Sequence, residues 1–230
     1  RPGPGRGRRR GGRSTLHVEL SDAVMFDLDG TLVRSEHAHR VAWQALFEHW
    51  AVEVDEAEYA RMFMGRRARD VLGEVPGPWT GTDPETSLDV LRDHSRHAIA
   101  AVEAVPGAAG RVAALAAAGT PVAVVTSAGA EWAEQVLADV LGVRHHLSVL
   151  VTAERVTQGK PSPEGYLLAC AELGVAPGRC TGVEDSPAGI AALVAAGVGT
   201  IVGLTTSSQA GTLRAAGAHT TAPDLTSQPV

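Results

Sequence analysis

The chain has 230 residues, enough for one large α/β domain or a domain carrying an insert, because single hydrophobic cores stop growing near about 250 residues. Its composition, 44% hydrophobic but only 4% aromatic, predicts a core of Ala, Val and Leu, and no apolar stretch reaches the roughly 18 residues of a membrane span. The net charge of −6 conceals an asymmetry: residues 1–13 hold six arginines and no acid, so the other 217 carry 14 basic against 26 acidic side chains, which excludes a general polyanion-binding body.

In chain order, residues 1–20 read as a disordered Arg/Gly-rich tail without the apolar stretch of a secretory signal. Ala23 to Leu28 is a short apolar run ended by Asp29-Gly30-Thr31 and predicts a buried strand feeding a loop. Residues 37 to 102 show no buried-strand run; helical stretches at 37–50, 55–64 and 84–101 surround a Gly/Pro-rich interruption at 73–81. A helix at 108–118 stops at Gly119 and leads to a strand at 121–126. Further strands follow at 147–152, 180–184 and 199–203, with helices between them at 130–141, 163–173 and 187–196. Gly174 and Gly197 supply the left-handed stops, and Ser186-Pro187 makes an N-cap with proline in the first turn.

Strands alternating with helices of this length predict a doubly wound parallel sheet. The expected organisation is a core domain from 21–36 and 103–230 with a helical cap from 37–102 placed over the carboxyl ends of the strands, where ligands bind in open α/β sheets. Cys170 and Cys180 have no metal-ligand spacing and read as small buried hydrophobes of a cytoplasmic protein.

The polar residues at the predicted strand ends form a set: Asp27 and Asp29 after the first, Thr126 and Ser127 after the second, Glu184 and Asp185 at the end of the fourth. Lys160 joins them from the loop after the third. It is the single lysine beside 19 arginines, and a compact ammonium suits one anionic oxygen where a guanidinium fork does not. Four hard carboxylates crowded together call for Mg²⁺, and the cation with the lysine leaves room for an anion such as phosphate. Other phosphate and ion motifs fail: Gly159-Lys160 is followed by Pro161, so it is no P-loop, and Asp27 to Gly30 is too short for an EF-hand.

Asp27-Leu28-Asp29-Gly30-Thr31-Leu32, the Val-Val-Thr126-Ser127 strand end, Gly159-Lys160-Pro161-Ser162-Pro163 and Gly182-Val183-Glu184-Asp185-Ser186-Pro187 resemble the four ordered motifs of the haloacid dehalogenase superfamily. The resemblance is to its helical-cap branch of sugar-phosphate phosphatases and β-phosphoglucomutase, and it spans about 22 to 205. It implies a Rossmann-like core and an Mg²⁺-dependent phosphatase acting on a small phosphorylated metabolite. Asp27 is then the nucleophile that forms an aspartyl phosphate, and Asp29 the general acid and base, its backbone carbonyl facing the metal. Asp27, Asp29, Asp185 and Glu184 are the implied metal residues, Glu184 through water or as a nearby second carboxylate; Thr126, Ser127 and Lys160 hold the phosphoryl group. In the cap, Gly65 and Arg66 are candidates to contact the substrate, and His39 stands where the mutase-like relatives also have histidine.

A β-phosphoglucomutase-like mutase is the main rival, opposed by Thr31 and by the lack of a lysine in the cap. A silent binding protein of the same fold would be expected to have lost Asp27, Asp29, Lys160 or Asp185, and all four are present. A monomer or weak homodimer without a membrane or nucleic-acid partner is expected. Arg34 departs from the resemblance, since relatives commonly carry Asp there; a clash with the acidic cluster and a contact with substrate both stay open for it, and nothing in the sequence accounts for it.

Overall fold

A computed structural model describes residues 21–226; the expected disordered tail at 1–20 lies outside them. Among the described residues, eight strands and nine α-helices follow one another in the order β1 (Ala23–Phe26), β2 (Val33–Arg34), α1 (Glu36–His49), α2 (Glu56–Met62), α3 (Ala68–Glu74), α4 (Pro84–Ala98), β3 (Glu103–Ala104), α5 (Ala108–Ala117), β4 (Val122–Val125), α6 (Ala130–Gln135), β5 (Val149–Val151), α7 (Glu164–Leu173), β6 (Cys180–Glu184), α8 (Pro187–Ala195), β7 (Thr200–Leu204), α9 (Ala210–Ala216) and β8 (Thr220–Ala222). Six strands form one parallel sheet in the order β5-β4-β1-β6-β7-β8.

The short apolar runs become fully buried strands because both faces of the sheet are covered. Val112 of α5 and Trp132, Val136 and Leu137 from α6 and the turn after it pack on one face with Val24, Phe26 and Val124. Tyr166 and Cys170 of α7, Ile190 and Leu193 of α8 and Leu213 of α9 pack on the other with Met25, Ala123 and Ile201. Helices on both faces make the fold doubly wound, as expected. The helix predicted at 130–141 is α-helical only to Gln135; Val136–Val140 continues as a π-turn. The sixth strand, β8, and α9 are additions to the expected pattern.

Register positions the chemistry. Phe26 lies between Val124 of β4 and Val183 of β6, so Asp27 leaves β1 level with Val125 and Glu184, and Thr126 and Asp185 follow one residue on, on strands about 4.8 Å to either side.

Between β2 and β3 the chain adds no strand to this sheet. Helices α1 to α4 surround a separate cluster of Trp43, Phe47, Tyr59, Phe63, Trp79 and Leu88. Six of the nine aromatic residues fall between 43 and 79. The Ala/Val/Leu core expected from composition is therefore that of the sheet, while the helical insert is built on offset and edge-to-face rings, Trp43 to Phe63 at 4.9 Å and Phe47 to Phe63 at 5.1 Å. Strands β2 and β3 pair antiparallel where the chain leaves and returns, Val33 opposite Ala104 and Arg34 opposite Glu103. Arg34 is exposed on this ribbon, and its charge is felt by Asp224. Of the two readings left open for Arg34, this removes the clash with the acidic cluster: as β2 leaves the loop, alternation turns Arg34 to solvent and buries Val33.

Candidate active site

Lys160 reaches the carboxyl edge of the sheet from the loop before α7, and its ammonium is almost wholly buried. The Nζ lies 2.5 Å from Asp27 Oδ1 and 2.7 Å from Glu184 Oε1 and donates to the Val125 carbonyl at 3.0 Å. These three oxygens suit the three N–H donors of an ammonium. Glu184 is held from every side: Tyr166 Oη donates to Oε1 at 2.9 Å, and the Asp185 N–H, Ser186 N–H and Ser186 Oγ donate to Oε2 at 3.0–3.3 Å. Ser186 Oγ in turn accepts from the Gly189 N–H at 3.0 Å, the N-cap expected for α8. A Cβ on Gly189 would meet Glu184 Oε1 at 1.8 Å, so only glycine admits the carboxylate there. Asp185 accepts from Thr31 Oγ1 at 3.2 Å.

The carboxylates of Asp27, Glu184 and Asp185 offer oxygens within 4.8 Å of one another. Burial and the nearby Glu184 raise Asp185 to about 7, with Ser207, Lys160 and Thr31 opposing. Asp27 is pushed well up by burial, against Lys160, with Glu184 and Asp185 adding to the rise. Burial works against the Lys160 charge, yet Asp27 and Glu184 hold its pKa well above the ordinary value. One ammonium thus faces three buried carboxylates. An all-oxygen donor set with excess negative charge fits a hard divalent cation such as Mg²⁺. Gly30 makes room for it to form: at φ +87° a Cβ there would lie 1.9 Å from Asp185 Oδ2.

The Asp29 carboxylate is not part of this group. It turns toward α1 and α6, where three donors converge on Oδ1: Ser35 Oγ at 2.7 Å, His39 Nε2 at 2.9 Å and Trp132 Nε1 at 3.0 Å. Thr126 Oγ1 lies 3.4 Å from Oδ2. Burial would raise Asp29, but His39, Ser35 and Trp132 outweigh it and hold the carboxyl below its usual range. Burial likewise opposes the charge of His39, and Asp29 outweighs it, so the imidazole is raised. Ser35 occupies the N-cap position of α1 without capping the helix, because its hydroxyl is spent on Asp29.

Thr126 accepts from the Ala128 N–H at 3.0 Å and so shapes the turn after β4. Ser127 Oγ is buried with no hydrogen-bond partner among the described residues, beside Thr126, Lys160 and Arg67 around a water-sized cavity. Gly65 and Arg66 line the main cavity, but Arg66 is engaged by Glu74 and the Met62 carbonyl. Arg67, given no role in the sequence reading, reaches from the helical insert to the core, donating to the carbonyls of Ala153 at 3.1 Å and of Val156 and Thr157 at 2.7 Å.

Trp132, Ser35 and Tyr166 also went unassigned from the sequence. Trp132 follows the Thr126 strand end by six residues, close enough for a side chain of the first helical turn to stand at the sheet edge. That spacing was the available signal.

Comparison with known proteins matches residues 21–197 to the haloacid dehalogenase-like hydrolase family. The chain belongs to that family. It is 39% identical over 188 residues to validoxylamine A 7′-phosphate phosphatase of Streptomyces hygroscopicus subsp. limoneus, covering 81% of this chain and 87% of that protein. To hexitol phosphatase A of Escherichia coli K12 it is 35% identical over 181 residues, covering 75% and 78%. A hydrolase from Pseudomonas syringae shares the fold with a TM-score of 0.81 over 89% of this chain and 94% of that one, at 23% identity. CbbY from Rhodobacter sphaeroides, solved in complex with phosphate, superposes with a TM-score of 0.75 at 25% identity over 90% and 95%. The family and its phosphatase relatives make the chain a phosphoric monoester hydrolase. No helix among the described residues is long and apolar enough to cross a membrane.

Proposed function

We propose that the protein hydrolyses a sugar- or polyol-phosphate monoester through an aspartyl phosphate on Asp27. The observation that carries this reading is the division of labour between two carboxylates two residues apart: Asp27 on the ammonium of Lys160, Asp29 on a separate set of donors. Lys160 fixes Asp27 Oδ1 and leaves Oδ2 to attack phosphorus in line, with the Thr126 hydroxyl, the Ser127 hydroxyl and the Ser127 N–H on hand for the phosphoryl oxygens. The new Asp27–phosphorus bond forms as the bond to the alcohol oxygen breaks, and Asp29 gives that oxygen its proton. Water then attacks phosphorus, Asp29 takes the proton back, and phosphate leaves Asp27.

Asp29 rests ionised, so it must gain a proton when substrate arrives. An incoming phosphate is anionic and raises a neighbouring carboxyl, and protonated His39 at 2.9 Å is the nearest source. Asp27 and Asp185, with the Asp29 carbonyl and Glu184 behind them, would hold Mg²⁺, which when bound supplies positive charge for the phosphoryl oxygens. Residues 37–102 act as the cap that selects the alcohol. The substrate class follows the relatives, whose names give validoxylamine A 7′-phosphate and hexitol phosphates.

A panel of glycerol, hexitol and hexose phosphates, assayed for phosphate release with Mg²⁺ or EDTA, tests the proposal. Release is expected only with Mg²⁺ and is abolished by Asp27→Asn. Release that survives Asp27→Asn refutes the mechanism, and isomerisation of β-glucose 1-phosphate in place of hydrolysis makes the protein a mutase.

A further inference from the structure

The helical insert is docked on the core at several points around the site. Arg67 is seated on the carbonyls of Ala153, Val156 and Thr157; Asp70 accepts from the Gly159 N–H at 3.0 Å; Arg96 of α4 pairs with Glu131 of α6 at 3.1 Å. Gly65 lies close enough to Ser186 that a Cβ would stand 3.4 Å from its Cβ. With these contacts made, the cavity between insert and core still measures about 910 Å³, near the top of the roughly 300–1,000 Å³ that hold drug-sized ligands. Its floor comes from the loops after β5, β4, β1, β6 and β7. Those are five neighbouring strands, so the floor extends over four strand spacings, or about 19 Å. A phosphate on Asp27 with one sugar ring leaves much of that length empty.

The direction of the alcohol follows from its acid. Asp29 is held between Ser35 and His39 at α1 and Trp132 of α6, so the oxygen it protonates lies on the side of the phosphate where α1 and α6 meet. In that direction the walls are Leu88, Leu91, Arg92, Ser95 and Arg96 on one face of α4 and Glu131, Trp132 and Gln135 of α6. An open groove of about 600 Å³ continues past the Arg96–Glu131 pair, bordered by Glu134 and Asp139. Arg96 is the one cation among the residues bordering it, and Glu134 is met from outside by Arg144 at 2.6 Å. Arg92 is paired with Glu85 and Asp89 and Arg96 with Glu131, so the arginines of this wall are already met by carboxylates, and the lining suits ring faces and hydroxyls better than a second anion.

We propose that the alcohol released is a disaccharide-sized polyol with no second anionic group, its distal ring lying between α4 and α6. This rests on the phosphatase reading above, which it refines.

The test compares kcat/KM for glycerol 3-phosphate, glucose 6-phosphate, AMP, fructose 1,6-bisphosphate and the 6-phosphates of trehalose, sucrose and maltose. The best disaccharide phosphate is expected to exceed glucose 6-phosphate by about tenfold or more. Ser95→Trp, which fills the α4 wall, is expected to erase that advantage and leave glycerol 3-phosphate hydrolysis unchanged. Thr212→Trp, at the β7 end, is expected to keep it. Glucose 6-phosphate equal to every disaccharide overturns the size inference alone, and a preference for AMP or the bisphosphate overturns the neutral occupant. A disaccharide advantage that survives Ser95→Trp overturns the placement. No phosphate from any compound refutes the phosphatase reading and this proposal with it.

Discussion

Lys160→Met tests whether the lone lysine is what keeps two buried carboxylates apart. The side chains of Lys160, Asp27 and Glu184 are 6%, 8% and 1% exposed, so the ion pairs are not screened by water. Methionine nearly preserves the stem and removes the charge. Glu184 keeps Tyr166, Ser186 and two backbone N–H groups, but Asp27 loses the donor at 2.5 Å. Removing one partner of a buried pair costs about 3–5 kcal/mol. At about 2–4 °C per kcal/mol for a chain of this size, the melting temperature falls by about 6–20 °C. The sign with pH is definite. Without Lys160 the Asp27 carboxyl in the folded state rises further above its unfolded value, so the variant loses stability as pH rises and the gap from the parent widens. Thermal melts in EDTA from about pH 5 to pH 8 read this directly. Added Mg²⁺ should recover part of the loss by bringing positive charge to the same oxygens. Lys160→Arg keeps the charge but puts a planar fork in a site shaped for one ammonium, so stability should partly return while kcat stays low. A Lys160→Met variant that melts within about 1 kcal/mol of the parent at every pH refutes the charge argument.

Trp132→Phe keeps the ring and removes the N–H on Asp29; losing a hydrogen bond to a charged group, about 1.5–3 kcal/mol, should lower kcat/KM for alkyl phosphates about tenfold or more. p-Nitrophenyl phosphate, whose leaving group needs no proton, should be nearly unaffected, and an equal loss on both would make Trp132 merely structural. His39→Gln should destabilise more at about pH 5.5 than at about pH 9. The raised histidine contributes below its unfolded value of about 6.5 and loses that contribution as pH climbs through its folded value, while lowered Asp29 contributes above about 4; melts showing the reverse order would contradict the pairing. Gly30→Ala should weaken Mg²⁺ binding in calorimetry, because its Cβ would overlap Asp185; unchanged affinity would mean the loop yields freely.

Much of this architecture could be read in the chain itself, for physical reasons. Strands buried on both faces, such as Val122–Val125 and Cys180–Glu184, stand out as apolar runs, and the polar residue that ends each run marks the carboxyl edge. β2 and β3 are two residues each and exist only because the chain returns beside itself, so no local pattern announces them. β8, with two threonines in three residues, is a strand by virtue of its neighbour β7. Trp132 shows the limit most clearly. Periodicity marks it as a core residue of α6, which it is, packed with Val136 and Leu137. That its N–H reaches Asp29 is settled by how α6 meets α1 across the sheet edge, which no local spacing encodes. Arg67 is similar: it stands beside Gly65 and Arg66, the candidates for substrate contact, and only the docking of the insert sets its guanidinium on core carbonyls.

The central claim is that phosphate passes through Asp27. Rapid quench of the protein with excess phosphorylated substrate, followed by peptide mass spectrometry, measures it directly. A hydroxylamine-sensitive phosphoryl group is expected on Asp27 and is absent in Asp27→Asn; with p-nitrophenyl phosphate, whose first step needs no acid, it is more abundant in Asp29→Asn, whose second step lacks its base. Steady hydrolysis with no phosphorylated protein at any time, or phosphate carried on another residue, would contradict it.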